Sequence, residues 1–391
     1  MPDPSSLTEP FAPQTAPEAL EDLRARLRAT RWPDAPEDAG WSLGTDVDYL
    51  RELVAYWADG FDWSAQEAAL AQLPHFRMRL GGLGIHYVHV RAAAPSGPVL
   101  PLVLSHGWPD SFWRYTKVIP LLTDPGAHGA DPADAFDVVV PDIPGYGYSD
   151  RPAGPPLDSI AVAGLFAELM GALGYARFGA AGGDIGSHVS RYLALDHPDR
   201  VVAVHRTDAG LPIFTGDPAE LTPEERAWFE DVAAWGASEG AYAAMHRTKP
   251  QTAAFGLTDS PAGLAAWIVE KLRGWSDCGG DVERRFTKDE ILTNVTLYWF
   301  TGTIGSSMRM YSANAAIPPA QLARRVEVPS GFSIFAGDVV RPPRAWLERT
   351  ANAVRVTEPA SGGHFAPFEE PELYAQELRE FFRPYRSAAT H

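Results

Sequence analysis

Cysteine is almost absent from this sequence. Cys278 stands alone among 391 residues, so no intrachain disulfide can form and nothing points to an oxidising compartment. Its expected role is incidental. Long apolar runs are missing too: none approaches the ~20 residues of a membrane span, and Met1-Pro2-Asp3-Pro4-Ser5-Ser6 has neither the basic stretch nor the apolar core of a signal peptide. A cytoplasmic protein with no membrane contact is expected. Positive charge is in deficit, with 33 Lys and Arg against 50 Asp and Glu. The formal charge of −17 would repel nucleic acid and anionic lipid surfaces. No internal repeat, phosphate loop or zinc-ligand spacing is present, so neither an organic cofactor nor a metal is expected.

What is present is an ordinary globular composition, 45% hydrophobic and 21% charged, in a chain long enough for one large α/β domain plus a smaller unit. Residues 1–80 read as a helical segment. Thr15-Ala16-Pro17-Glu18 has capping-box spacing ahead of Leu20, Leu23 and Leu27; Leu50, Leu53, Val54 and Trp57 mark a second helix; Ser64-Ala65-Gln66-Glu67 opens a third. Trp32, Trp41, Trp57 and Trp63 crowd this segment, as a packing surface or a substrate wall, packing being preferred. Residues 81–211 change to strands alternating with helices. Gly84–Val90, Val99–Ser105, Phe136–Pro141, Ala176–Ala181 and Val201–Val204 predict a mostly parallel sheet covered on both faces. Residues 212–325 lose strand character and read as a helical lid, and residues 326–391 return to the sheet at Gly331–Ala336 and Val354–Val356.

Gly182-Gly183-Asp184-Ile185-Gly186 has the form of a nucleophile elbow with a carboxylate at its centre. A Gly-x-acid-x-Gly pattern arises by chance about 0.4 times in such a composition, so context must decide. A run of small apolar residues precedes it and a helical pattern follows, which is the strand, sharp turn, helix order an elbow needs. A helix N-terminus keeps a carboxylate ionised, and an ionised carboxylate displaces a leaving group at an alkyl carbon rather than transferring acyl groups. The alternative is a simple N-cap in a tight glycine loop.

An ester formed on Asp184 would need a base to release it. His364, in the loop Ser361-Gly362-Gly363-His364-Phe365 after the last strand, has the chain position of that base. Asp338, ending Phe335-Ala336-Gly337-Asp338, is the orienting acid, with Glu358 and Glu369 as sequence neighbours that do not follow a strand in the right order. The strand ending at Ser105 runs into His106-Gly107-Trp108-Pro109-Asp110. The N–H of Trp108 with that of Ile185 would form an oxyanion hole, while Trp108 and Pro109 are candidate substrate contacts; a plain β-turn is the alternative.

Together, His106-Gly107-Trp108-Pro109, Gly182-Gly183-Asp184-Ile185-Gly186 and Gly362-Gly363-His364-Phe365 resemble the α/β-hydrolase-fold epoxide hydrolases of the microsomal and juvenile-hormone type. The likeness spans nearly the whole chain: Trp32-Pro33 and His75-Phe76-Arg77 resemble the family's N-terminal domain, and Thr248-Lys249-Pro250-Gln251-Thr252 and Leu292-Thr293-Asn294 its lid. The resemblance implies two lid phenols that hydrogen-bond the epoxide oxygen, at Tyr242 and Tyr311, and a small-molecule epoxide as partner, apolar or aryl. Two departures stand out. No counterpart of the membrane-anchoring N-terminal helix of microsomal members is read here, so a soluble member is expected, and Asp338 stands where they carry glutamate, with a loop to His364 one residue shorter. A haloalkane or haloacid dehalogenase would use the same nucleophile but needs halide donors in place of phenols. A non-catalytic small-ligand receptor on this fold is the rival from another class. A homodimer and the choice between detoxification and secondary-metabolite chemistry are left open.

Overall fold

The computed structural model describes residues 8–210 and 213–389. Met1 to Ser6, read above as lacking a leader pattern, lie outside the described residues. The strands are β1 (Thr8–Phe11), β2 (His75–Leu80), β3 (Leu83–Val90), β4 (Leu100–Ser105), β5 (Phe136–Pro141), β6 (Phe178–Gly182), β7 (Val201–Arg206), β8 (Val326–Ser333) and β9 (Ala351–Thr357). They form one sheet in the order β1-β2-β3-β5-β4-β6-β7-β8-β9. The pairs from β1 to β5 along that order are antiparallel and all the others are parallel. Every residue of β4, β5, β6 and β7 is buried, because helices cover both faces; such strands read as continuous apolar or small-residue runs rather than alternating ones.

The first eighty residues depart from a purely helical reading, since they also supply β1 and β2. The β2 sequence His75-Phe76-Arg77-Met78-Arg79-Leu80 carries two arginines on its more open face, as strands near a sheet edge do. Gly81 and Gly82, with φ of 56° and 82°, close a two-residue hairpin into β3. The expected capping box does not form. The helix Pro17–Arg28 starts at Ala16 with no side-chain cap, because Thr15 Oγ1 donates to Glu67 Oε1 at 2.6 Å and accepts from Trp63 Nε1 at 2.9 Å. The third helix, Trp63–Leu70, is capped by Asp62, two residues ahead of the expected Ser64. Trp57 and Trp63 are buried in the core, and none of the four N-terminal tryptophans lines the cavity described below.

Between β7 and β8 the chain inserts the block of helices read above as a lid, and the carboxyl ends of the strands are the end where α/β sheets carry their sites. Two of its helices, Ala241–Thr248 and Ile304–Ala315, pack on each other. A third, Lys288–Thr301, ties the lid to the loop after β4: Asn294 Nδ2 donates to the Pro109 carbonyl and the Tyr298 hydroxyl to the Asp110 carbonyl, each at 2.8 Å. No helix among the described residues is long and apolar enough to cross a membrane.

Candidate active site

Asp184 sits between β6 and the helix Ile185–Asp196 with φ 56° and ψ −131°, a conformation that costs an L-residue about 1–3 kcal/mol. The flanking glycines make the turn sterically feasible. A Cβ at Gly186 would fall 1.9 Å from the Ser105 carbonyl oxygen, and one at Gly107 would fall 2.3 Å from Asp184 Oδ1. The helix therefore packs directly on the β4 backbone and presents the carboxylate above the sheet. The Trp108 N–H donates to Asp184 Oδ1 at 2.8 Å. Burial alone would raise the carboxyl, but His364 and the N–H groups of Ile185 and Trp108 outweigh it and hold Asp184 down at about 2.

The loop after β4 is itself held by a neutral imidazole. His106 Nδ1 donates to the Gly107 carbonyl and Nε2 accepts from the Ile143 N–H, each at 3.0 Å, which fixes one tautomer. Burial lowers its pKa and keeps it uncharged.

On the opposite side of the carboxylate, His364 Nε2 lies 3.3 Å from Asp184 Oδ2, an ion-pair distance without an aligned hydrogen bond. Its Nδ1 meets Asp338 Oδ1 at 3.0 Å. Burial would strip the imidazole of its proton, but Asp338 and Asp184 prevail and push it up to about 10, so in the free protein it is an imidazolium between two carboxylates. Asp184, His364 and Asp338, three residues far apart in sequence, are thus in register.

The two lid phenols come to the same place. Tyr242 stacks on the Trp108 indole, with centroids 5.4 Å apart and planes 12° from parallel, and Tyr311 meets both rings edge-on at 6.1 Å. Burial, with the Asp184 carboxylate adding to it, raises both phenols, so each keeps its proton as a hydrogen-bond donor.

Two family models match the chain, one described as epoxide hydrolase N terminus over residues 8–115 and one as alpha/beta hydrolase fold over residues 101–251. Epoxide hydrolase 1 of Sus scrofa is 36% identical over 403 aligned positions, which cover 95% of this chain and 88% of that protein. The chain belongs to the epoxide hydrolase family. Solved structures agree. The juvenile hormone epoxide hydrolase of the silkworm Bombyx mori superposes with a TM-score of 0.85 at 29% identity, covering 97% of this chain and 94% of that one. The Aspergillus niger epoxide hydrolase gives 0.85 and 29%, covering 98% of each chain.

In this epoxide hydrolase the carboxylate, the imidazole and both phenols line a cavity of about 580 Å³, a size suited to a small organic molecule. Its outer wall is apolar, built by Ile213, Trp228, Val232, Trp235 and Val340. The expected substrate contacts of Trp108 and Pro109 are not found on that wall. Both are buried, Tyr242 covers the indole, and the Trp108 main-chain N–H holds the Asp184 carboxylate.

Glu369 is not an acid of the imidazole either. It accepts main-chain N–H bonds from Asp277, Gly363 and Phe365 at 2.8 to 3.1 Å and clamps the His364 loop to the lid. Burial first, against those three donors, pushes it up to about 7. Arg114, ion-paired with Asp110 at 2.5 Å, donates to the His364 carbonyl at 2.6 Å and holds the same loop from the core side.

Four polar groups at the site escaped the sequence reading, one of them Asn314 on the helix Ile304–Ala315. Asp208, two residues past the end of β7, and His188, one turn into the elbow helix, both line the cavity, as does the exposed Arg247 on the lid. The signal that would have found Asp208 is an acid at the carboxyl end of a core strand beside the elbow.

Proposed function

We propose that this enzyme converts an apolar or aryl epoxide to a vicinal diol through a covalent ester on Asp184. The reading rests on one observation above all. The two oxygens of Asp184 are already divided, Oδ1 held by the Trp108 N–H and Oδ2 facing His364 beside the cavity with both phenols. Oδ2 attacks an oxirane carbon, the C–O bond breaks, and Tyr242 and Tyr311 hydrogen-bond the departing oxygen, which takes a proton from a phenol. The phenolate regains its proton from the His364 imidazolium. Loss of the Asp184 charge on alkylation weakens the hold on that proton, which leaves a neutral base.

Neutral His364, oriented by Asp338, then deprotonates a water that attacks the ester carbon. The developing oxyanion is Oδ1, already on the Trp108 and Ile185 donors, and one such donor is worth about 3 kcal/mol. On collapse the ester bond to Oδ2 breaks and the leaving alkoxide takes the second proton of the attacking water. This releases the diol and restores carboxylate and imidazolium, so the cycle closes with no net proton left on the protein. The apolar wall with its two indoles supports a substrate bearing an aryl or extended apolar group, and residues 212–325 act as the lid that carries the phenols over it.

The test pairs two substrates. Wild-type enzyme should release diol from styrene oxide and no chloride from 1-chlorobutane, and Asp184→Asn should lower diol formation by at least about 10⁴-fold. Chloride release without diol formation would reject the reading in favour of a dehalogenase.

A further inference from the structure

The main-chain N–H of Asp184 has no acceptor in the sheet, because the pairing of β6 with β7 ends at Gly182 and Arg206. A side chain takes over. Asp208 Oδ2 accepts that N–H at 2.8 Å, Asp208 Oδ1 accepts the Gly210 N–H at 2.7 Å, and the Asp208 carbonyl accepts from Ser187 Oγ at 3.1 Å. The residue carrying the nucleophilic carboxylate, held at φ 56°, is thus pinned from behind by a second carboxylate that opens on the same cavity.

Resting on the ester reading above, we propose that Asp208 is a positioning residue for ring opening. Its carboxylate locks the backbone of Asp184 in the attacking conformation, and its charge makes the opening step depend on pH.

The groups facing Asp208 come from each surrounding element. Asp338 lies in the loop after β8, Asp184 is on the elbow and His364 on the last loop, Arg206 extends from the end of β7, and His188 shares the cavity wall. Burial first, then the charges of Asp338 and Asp184, raise Asp208 to about 6, against the Gly210 N–H and the His364 imidazolium, which lower it. Asp184 titrates near 2, His364 near 10 and His188 near 4. Glu369, near 7, is the one other site group in this range, and it acts on the His364 loop rather than on the elbow. Above about 6 the ionised carboxylate gives the Asp184 N–H a charged acceptor; below it, protonation weakens that hold and removes a negative charge from beside the nucleophile.

The experiment is single-turnover ester formation from styrene oxide by the full-length enzyme, followed from about pH 5 to about pH 9, with trapped ester on the Asp184 peptide counted by mass spectrometry. Wild type should show an acid limb near pH 6 in the opening rate. Asp208→Asn keeps an oxygen acceptor but not the charge, and from about pH 5 to about pH 9 should open the epoxide at about the rate wild type shows below its limb, with the limb gone; Asp208→Ala should open it about 10²-fold more slowly than wild type at the alkaline end, with substrate affinity little changed. Glu369→Gln should retain the limb. An unchanged limb in Asp208→Asn overturns the proposal, and this outcome does not depend on the alanine variant folding. Wild-type opening rates in a folded Asp208→Ala also overturn it. Absence of any ester in wild type is a different failure, that of the covalent reading itself.

Discussion

His364 carries the clearest electrostatic signature of the site, an imidazolium held by two carboxylates, with Asp338 on Nδ1 at 3.0 Å and Asp184 facing Nε2 at 3.3 Å. Its folded pKa, about 10, lies above the free value of about 6.5. The stabilisation it gives the fold is therefore complete below about pH 6.5 and is lost as pH rises through about 10. Removing one carboxylate should show in the proton itself. In Asp184→Asn, the His364 ring should titrate at least about one pH unit lower than in wild type, measured by NMR of the imidazole nitrogens. An unchanged midpoint would mean that Asp184 does not hold the proton, and the release of a neutral base on alkylation would fail with it. His364 and Asp338 could be picked out as candidates because each sits in a glycine-containing loop that follows a strand. Asp208 was not, because its message is a main-chain contact with a residue 24 positions earlier, and no spacing rule encodes that.

At the scale of elements, the elbow is a contact between a helix and the carboxyl end of β4 with no room for a side chain. Gly186 lies where an added Cβ would meet the Ser105 carbonyl at 1.9 Å, and the atom in the way is main chain that cannot rotate aside. Gly186→Ala should lower stability by more than about 4 kcal/mol or prevent folding, read from thermal or urea denaturation. Gly236→Ala, on an open lid helix with nothing near the added carbon, is the control and should be within about 1 kcal/mol of wild type, on the stabilising side. Comparable losses in both would show that the close approach is not the cause.

The core strands were visible in the sequence because burial on both faces leaves unbroken runs such as Leu100–Ser105 and Phe136–Pro141. β2 was hidden by Arg77 and Arg79, and β1 by its length of four residues, although the Gly81-Gly82 pair between β2 and β3 announced a hairpin. Trp108 misled for a different reason. An indole beside the nucleophile suggests a substrate wall, yet its ring is fully buried and packs against the two phenols, while its main-chain N–H holds the carboxylate.

Across the whole molecule, the site is assembled from parts that the chain separates widely and then fastens together. The N-terminal segment reaches the lid through Thr45 Oγ1 on the Ala266 carbonyl at 2.7 Å and the Tyr56 hydroxyl on Asp289 at 2.8 Å. The lid reaches the base loop through the His364 N–H on the Trp275 carbonyl at 2.9 Å and through Arg285, which bonds Glu370 at 2.6 Å and Asp277 at 2.8 Å. These ties keep the phenols, the imidazole and the carboxylate around one cavity. Sequence patterns located the pieces, but the ties among them come from tertiary packing.

On the proposed route water attacks an ester carbon on Asp184 and not the epoxide directly. The direct measurement is a single turnover in H₂¹⁸O followed by mass spectrometry of the Asp184 peptide and of the diol. Oδ2 leaves with the product and water oxygen takes its place, so the peptide should carry one ¹⁸O and the diol none. Label in the diol with none in the Asp184 peptide would contradict the covalent route.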